Sequence, residues 1–212
     1  MEENIMNIKI RSANENDSAF LAKMILKSSR AGKKDGMFDI AFDMTDDADV
    51  LNKLEALTKT EAKSYCHYKN FLVAEVDGKG VGTLCNYEPR IATREQFLLA
   101  LKELGCNDKA AERLEVFYTC EFDLNNRTLM FDFMEEEEGF LDVGILKALT
   151  QKSLLTARLK GYRIAQTIIE IGSLEAELFY KKLGFNVVQT KECELYQETF
   201  GRLGLMLLET EF

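Results

Sequence analysis

From Thr128 to Glu209 the chain alternates β-type runs with helical ones, and that order restricts it to a small set of folds. Thr128 to Met134 reads as a strand. Asp142 to Lys160 repeats apolar positions at helical spacing, with Asp142 a good N-cap and Gly161 a good stop. Tyr162 to Ile171 returns to strand, Leu174 to Leu183 is a helix ended by Gly184, and Phe185 to Lys191 is a further strand. A short helix over Glu192 to Thr199 and a strand over Leu203 to Glu209 close the run. Strand–helix–strand–helix–strand at these lengths predicts a largely parallel half built from right-handed βαβ units.

The preceding residues add antiparallel pieces. Ile5 to Arg11 alternates as a strand, and Asn16 or Asp17 can cap a helix whose stripe is Phe20, Leu21, Met24, Ile25 and Leu26. Arg30 to Asp46 is broken by Gly32 and Gly36 and reads as a loop or interrupted helix. Ala48 to Ser64 is helical through Leu51, Leu54 and Leu57. Asn70 to Asp77 and Val81 to Tyr87 flank Gly78-Lys79-Gly80 and predict a hairpin, so the whole sheet is mixed. Residues 90–122 read as a two-helix insertion before the next strand. A single proline and the absence of Ser/Gly-rich linkers across 212 residues favour one α/β domain.

Charge excludes some partners. A net charge of -9, with Lys and Arg dispersed, does not suit nucleic acid, which needs a basic face. No apolar stretch is long enough to span a bilayer, so no membrane association is expected. Met1-Glu2-Glu3-Asn4 is acidic and does not resemble a signal peptide, which points to the cytoplasm and to five reduced cysteines. Those cysteines are far apart, odd in number and without a C-x-x-C pair, so neither a disulfide nor a metal site is expected.

Four segments carry a resemblance. Ile8-Lys-Ile-Arg-Ser-Ala-Asn-Glu-Asn-Asp17 resembles an I-R-x-A-x-x-x-D opening, and Phe71 to Gly82 a β-hairpin that follows it. Ala176-Glu-Leu-Phe-Tyr-Lys-Lys-Leu-Gly-Phe185 is similar to an A-x-x-x-Y-x-K-x-G-F ending. Leu141-Asp-Val-Gly-Ile-Leu-Lys-Ala-Leu149 stands at the place of R/Q-x-x-G-x-G/A, of which Gly144 alone matches. In this order they resemble the GNAT superfamily of acyl-CoA-dependent N-acyltransferases over most of the chain. The 90–122 insertion and the 31–46 loop fall outside the resemblance.

That resemblance implies a mixed, centrally splayed sheet of about seven strands flanked by helices. It implies acetyl-CoA as co-substrate and transfer of its acetyl group to a primary amine, on a small molecule or a peptide. The pantetheine would lie in the splay against the backbone of Met134 and Glu135. The cofactor phosphates would sit on the helix start formed by Leu141, Asp142, Val143, Gly144, Ile145 and Leu146. Helix-initial amides and the positive end of the dipole suit phosphate whatever the family. Leu141 brings no charge and Leu146 is not small, which leaves a catalytically inactive CoA-binding or sensing protein as the alternative. A homodimer is compatible with the sequence.

Individual residues carry two readings each. Tyr180 is the general acid for the leaving thiolate by resemblance, or a core tyrosine beside Phe179 and Leu183. Ser173 stands where relatives contact the cofactor. Glu135 or Glu136 is a base or an anchor for a cationic amine, or else Glu135 to Gly139 is a solvated acidic turn. Phe117, Tyr87 and Tyr118 line the acceptor cleft or fill the core, and the 90–122 insertion walls that cleft or extends the core. His67, the sole histidine, reads as a hydrogen-bonded neutral residue rather than a partner of Cys66.

Overall fold

The computed structural model describes residues 7–106, 109–124, 127–141 and 144–212. β1 (Lys9–Ser12) leads into α1 (Ser18–Arg30), α2 (Met37–Phe42) and α3 (Asp47–Leu57). The hairpin β2 (Phe71–Val76) and β3 (Lys79–Tyr87) follows, then α4 (Arg94–Glu103), α5 (Lys109–Arg113) and α6 (Glu115–Thr119). β4 (Leu129–Glu136), α7 (Ile145–Leu159), β5 (Ile164–Glu170), α8 (Leu174–Lys182), β6 (Asn186–Glu192), α9 (Glu194–Phe200) and β7 (Gly204–Glu211) complete the chain.

One seven-stranded sheet runs β1-β2-β3-β4-β5-β7-β6. Among the described residues its only parallel contact is between β4 and β5; β7 pairs antiparallel with both β5 and β6. The expected largely parallel half is therefore corrected. β5 and β6 run the same way, but α9 lets β7 fold back between them, an insertion that element order alone does not reveal.

Alternation along the strands divides the core between the two faces. Phe71 and Val73 of β2 join Leu21, Ile25, Phe38, Leu54 and Phe97 on the α1–α4 face. Ala74 and Val76 join Ile145, Leu149, Phe131 and Phe185 on the α7–α8 face. Each large side chain so buried contributes about 1.5–3 kcal/mol.

Local chemistry adjusts several expected boundaries. Asp17 holds the N-cap position of α1, one of the two expected, without a side-chain cap bond. Asn14 caps the single turn before it, its side chain accepting from Asn16 N at 3.0 Å while Asp17 accepts from Asn14 N at 2.7 Å. The Asp17 carboxylate also holds Arg11, which in turn reaches Glu75 of β2 at 2.5 Å. Among the described residues the insertion forms three short helices, its second half divided at buried Leu114 into α5 and α6. His67 is buried, and its Nδ1 accepts from Lys69 N at 3.2 Å.

The cysteine expectation is also corrected. Cys120 at the end of α6 and Cys193 before α9 form a disulfide with Cα atoms 6.0 Å apart. Their separation of 73 residues conceals a contact that packing of α6 against α9 creates. Cys66 and Cys85 are buried thiols, and Cys106 is a partly exposed one. Among the described residues no helix is long and apolar enough to cross a membrane.

Candidate active site

Pairing between β4 and β5 stops at Phe131 opposite Thr167. β4 nevertheless continues to Glu136 and β5 to Glu170, so a gap opens between the two strands. A bulge accompanies the parting. Thr83 and Cys85 of β3 oppose Glu135 and Asp132, leaving one more residue on β4 than on β3 between them. Within the bulge Phe133 has φ +42°, a conformation that costs a bulky residue about 1–3 kcal/mol.

Packing and hydrogen bonds hold that conformation. Thr83 Oγ1 donates to Phe133 O at 3.1 Å, and Phe133 N donates to Asp132 Oδ1 at 2.8 Å. The Phe133 ring lies 6.0 Å from Phe38 and 6.2 Å from both Tyr65 and Phe71. Side chains cannot be rearranged there without opening the core.

Asp132 is the residue that the sequence reading missed. Burial pushes its carboxyl up to about 6, opposed only by the Phe133 amide. Its field contributes to raising the partly buried Tyr65 and Tyr87 and the buried Cys66 and Cys85, whose shifts are caused first by burial. The signal was present as a lone carboxylate inside Leu129-Met-Phe-Asp-Phe-Met134. A half-buried acid with no cation beside it among the described residues, and with its pKa raised toward neutrality, is suited to take up and release protons.

Tyr180 comes to the same point from the other face. It is the buried residue of α8 and stacks edge-on against Phe179 and Phe185. Its hydroxyl shares a hydrogen bond with Thr167, the last β5 residue paired to β4. Burial holds its pKa well above the usual phenol range, and Asp132 and Glu135 add to that.

Glu135 and Glu136 end β4 and so belong to the strand, not to the expected acidic turn. Lys27 of α1 lies 3.1 Å from Glu135 and donates to Glu136 O at 2.7 Å. Burial raises Glu135, and Lys27 opposes the shift. Glu137 is held by Lys23 at 2.8 Å. Met134 faces α7, where Thr150 Oγ1 donates to its sulfur at 3.5 Å.

The phosphate-binding segment is partly visible. Asp142 and Val143 lie outside the described residues. Helix α7 begins at Ile145 behind Gly144 at φ +91°, so Asp142 is not its N-cap as expected. Leu141 and Gly144 are exposed, Leu146 is partly buried, and the Ile145 side chain is fully buried. Ile145 can therefore offer only its backbone. Gly82 lets this helix start sit close to the sheet, since a Cβ there would fall 2.5 Å from Ile145 Cγ2. Ser173 is the N-cap of α8 but makes no side-chain cap; its N–H donates to Glu170 O at 3.1 Å.

The aromatic candidates separate into two groups. Tyr87 packs on Tyr65 at 5.5 Å beside Asp132, whereas Phe117 meets Tyr196 at 6.0 Å and Phe200 at 5.1 Å. Tyr118 lies under the Arg94 guanidinium, 3.5 Å from its ring centre. The insertion thus supplies Phe97 and Leu101 to the core and Phe117 to the α9 side.

No family model and no curated protein matches the sequence. Solved structures do match in shape. An acetyltransferase is similar over 96% of this chain and 98% of its own, with TM-score 0.69 and 20% identity. An N-acetyltransferase from Staphylococcus aureus Mu50 matches 95% of this chain and all of its own, with TM-score 0.67 and 18% identity. The PaiA N-acetyltransferase from Thermoplasma acidophilum, solved in complex with coenzyme A, covers 98% of this chain and all of its own at TM-score 0.56 and 14% identity. The chain therefore has the fold of the GNAT acetyltransferases, a mixed seven-stranded sheet parted between its central parallel strands.

Proposed function

We propose that the chain transfers an acetyl group from acetyl-CoA to a primary amine, with Asp132 as base and Tyr180 as acid. The observation that carries this reading is the bulge of β4, which sets the Asp132 carboxylate, with no cation beside it among the described residues, where β4 leaves β5. Likeness in fold to an N-acetyltransferase solved with coenzyme A supports the choice of donor.

The residues fit such a donor. Among the described residues the β4 edge from Asp132 to Glu135 is not paired with β5 and can receive an extended amide-bearing chain by strand-like hydrogen bonds. The start of α7 offers main-chain N–H groups for phosphate at Gly144 to Leu146, and Leu141, Asp142, Val143 and Ser173 complete the proposed cofactor contacts. Asp132, directly or through one water, takes a proton from the ammonium group. The neutral amine attacks the thioester carbonyl carbon, and β4 amides stabilise the oxyanion. The C–S bond breaks, the sulfur takes a proton from Tyr180, and the acylated nitrogen releases its second proton to solvent, from which Tyr180 is reprotonated. Glu135 and Glu136 were the other candidates for the base, but the Lys27 contacts fit them better for holding α1 against β4.

The exposed Leu141 at the start of α7 favours the second reading, CoA binding without turnover. The two separate in one experiment. A thermal shift with acetyl-CoA at 100 times its dissociation constant adds about 2.7 kcal/mol of stability under either reading. Release of free thiol in the presence of a panel of primary amines occurs only under the first, and its absence across the panel rejects transfer.

A further inference from the structure

A second carboxylate lies on the same face of the sheet as Asp132, at the far end of β5. Met130 pairs with Gln166, and Asp132 and Glu170 are even steps beyond them, so both point to the α1–α9 side. From strand rise and spacing their backbones are about 8 Å apart, and more where the strands diverge. The Glu170 side chain is 9% exposed. Its Oε1 accepts from Tyr196 Oη at 2.8 Å and from Lys33 Nζ. Its Oε2 has Arg202 Nε at 3.4 Å but accepts no hydrogen bond.

The cation that satisfies Glu170 comes from a loop. Lys33 follows Ala31 and Gly32, both at positive φ, between α1 and α2, and its ammonium lies 5.1 Å from the centre of the Phe200 ring. Carboxylate, phenol and aromatic face together form the complement of a primary ammonium group. A cavity of about 480 Å³ adjoins it, lined in part by Lys33, Asp35, Asp43, Thr199 and Phe200. The lysine stands where an amine ligand would stand, and it is carried on the connection between α1 and α2 rather than on a helix or strand.

We propose that Glu170, with Tyr196 and Phe200, is an ammonium subsite filled by Lys33 at rest, and that the acceptor is a primary amine bearing a second cationic group. One amine reacts beside Asp132 while the other cation displaces Lys33 from Glu170. The reacting end of this assignment rests on the acetyl-transfer reading; the anchoring end does not. Net gain is limited, because one ammonium replaces another.

Calorimetric titration of 1,6-diaminohexane and hexylamine into the full chain tests it. The wild-type chain should bind the diamine about tenfold tighter, the low end for a hydrogen bond to a charged group. The preference should widen in Lys33→Met, which lacks the internal competitor, and close in Glu170→Gln. Equal affinities in Lys33→Met overturn the proposal, as does an undiminished preference in Glu170→Gln. Lys33→Met alters a loop, so it decides the matter if Glu170→Gln does not fold. Thiol release from acetyl-CoA is scored separately. A diamine preference without thiol release removes the transfer reading and keeps the subsite, whereas thiol release without the preference does the reverse.

Discussion

Two carboxylates three positions apart on β4 have opposite surroundings. Glu135 is met by Lys27 of α1, whereas Asp132 sits in the bulge with only the Phe133 amide opposing its desolvation. A carboxylate with a lysine beside it is a tie between elements. One that is half-buried with no cation beside it among the described residues is a group the fold keeps at a cost, and such costs gather at functional sites. The difference arises from the bulge, which turns Asp132 and Phe133 to the core face and leaves Glu135 at the rim beneath α1.

Substitution at the two positions breaks or sharpens this contrast. Asp132→Asn should lower amine-dependent thiol release by about 10²–10⁴-fold, the usual range for a positioned base, with acetyl-CoA binding retained. Loss of binding along with turnover would make Asp132 a structural residue. Tyr180→Phe should lower turnover less, by about 10²-fold, since a thiolate is a good leaving group. It also removes the bond to Thr167, which should cost about 1 kcal/mol in denaturant melts. Unchanged turnover would take Tyr180 out of the mechanism.

Stability should move the other way at Asp132. Its folded pKa is raised from 3.8 to about 6, so folding favours the protonated form. The penalty is absent below pH 4, grows as pH rises through 6, and is complete above it. Asp132→Asn should therefore stabilise the chain at pH 7, by about 1–3 kcal/mol, and not at pH 3.5. Destabilisation at pH 7 would show that Asp132 is better satisfied than its surroundings indicate. The smallest effect is expected for Glu135→Gln. The Lys27 side chain is 40% exposed, so losing the pair should cost no more than about 1 kcal/mol, with turnover near that of the wild type.

The order of elements was legible because hydrophobic periodicity and glycine stops report it directly. Gly161 and Gly184 end α7 and α8 with positive φ, and Gly78 turns the hairpin. The place of β7 was not legible, since the strand that lies between β5 and β6 follows both in the chain. Tyr180 stood in a matched motif. Asp132 was concealed by its neighbours: a strand of Leu, Met and Phe reads as core, and the bulge that makes its one acid significant depends on register with β3. Glu170 and Lys33 are 137 positions apart, beyond the reach of any local pattern. The acidic run Glu135 to Glu138 drew attention through charge density, and its partners on α1 are visible only in three dimensions.

The central claim, that Asp132 is the base of an acetyl-transfer site, is tested most directly by the pH dependence of kcat/KM for amine-dependent thiol release from acetyl-CoA. The wild-type chain should lose activity as pH falls through about 6, where Asp132 becomes protonated, and Glu135→Gln should keep that break. In Asp132→Asn the residual activity should show no such break. A break near pH 6 that persists in Asp132→Asn, or disappears in Glu135→Gln, would contradict the account.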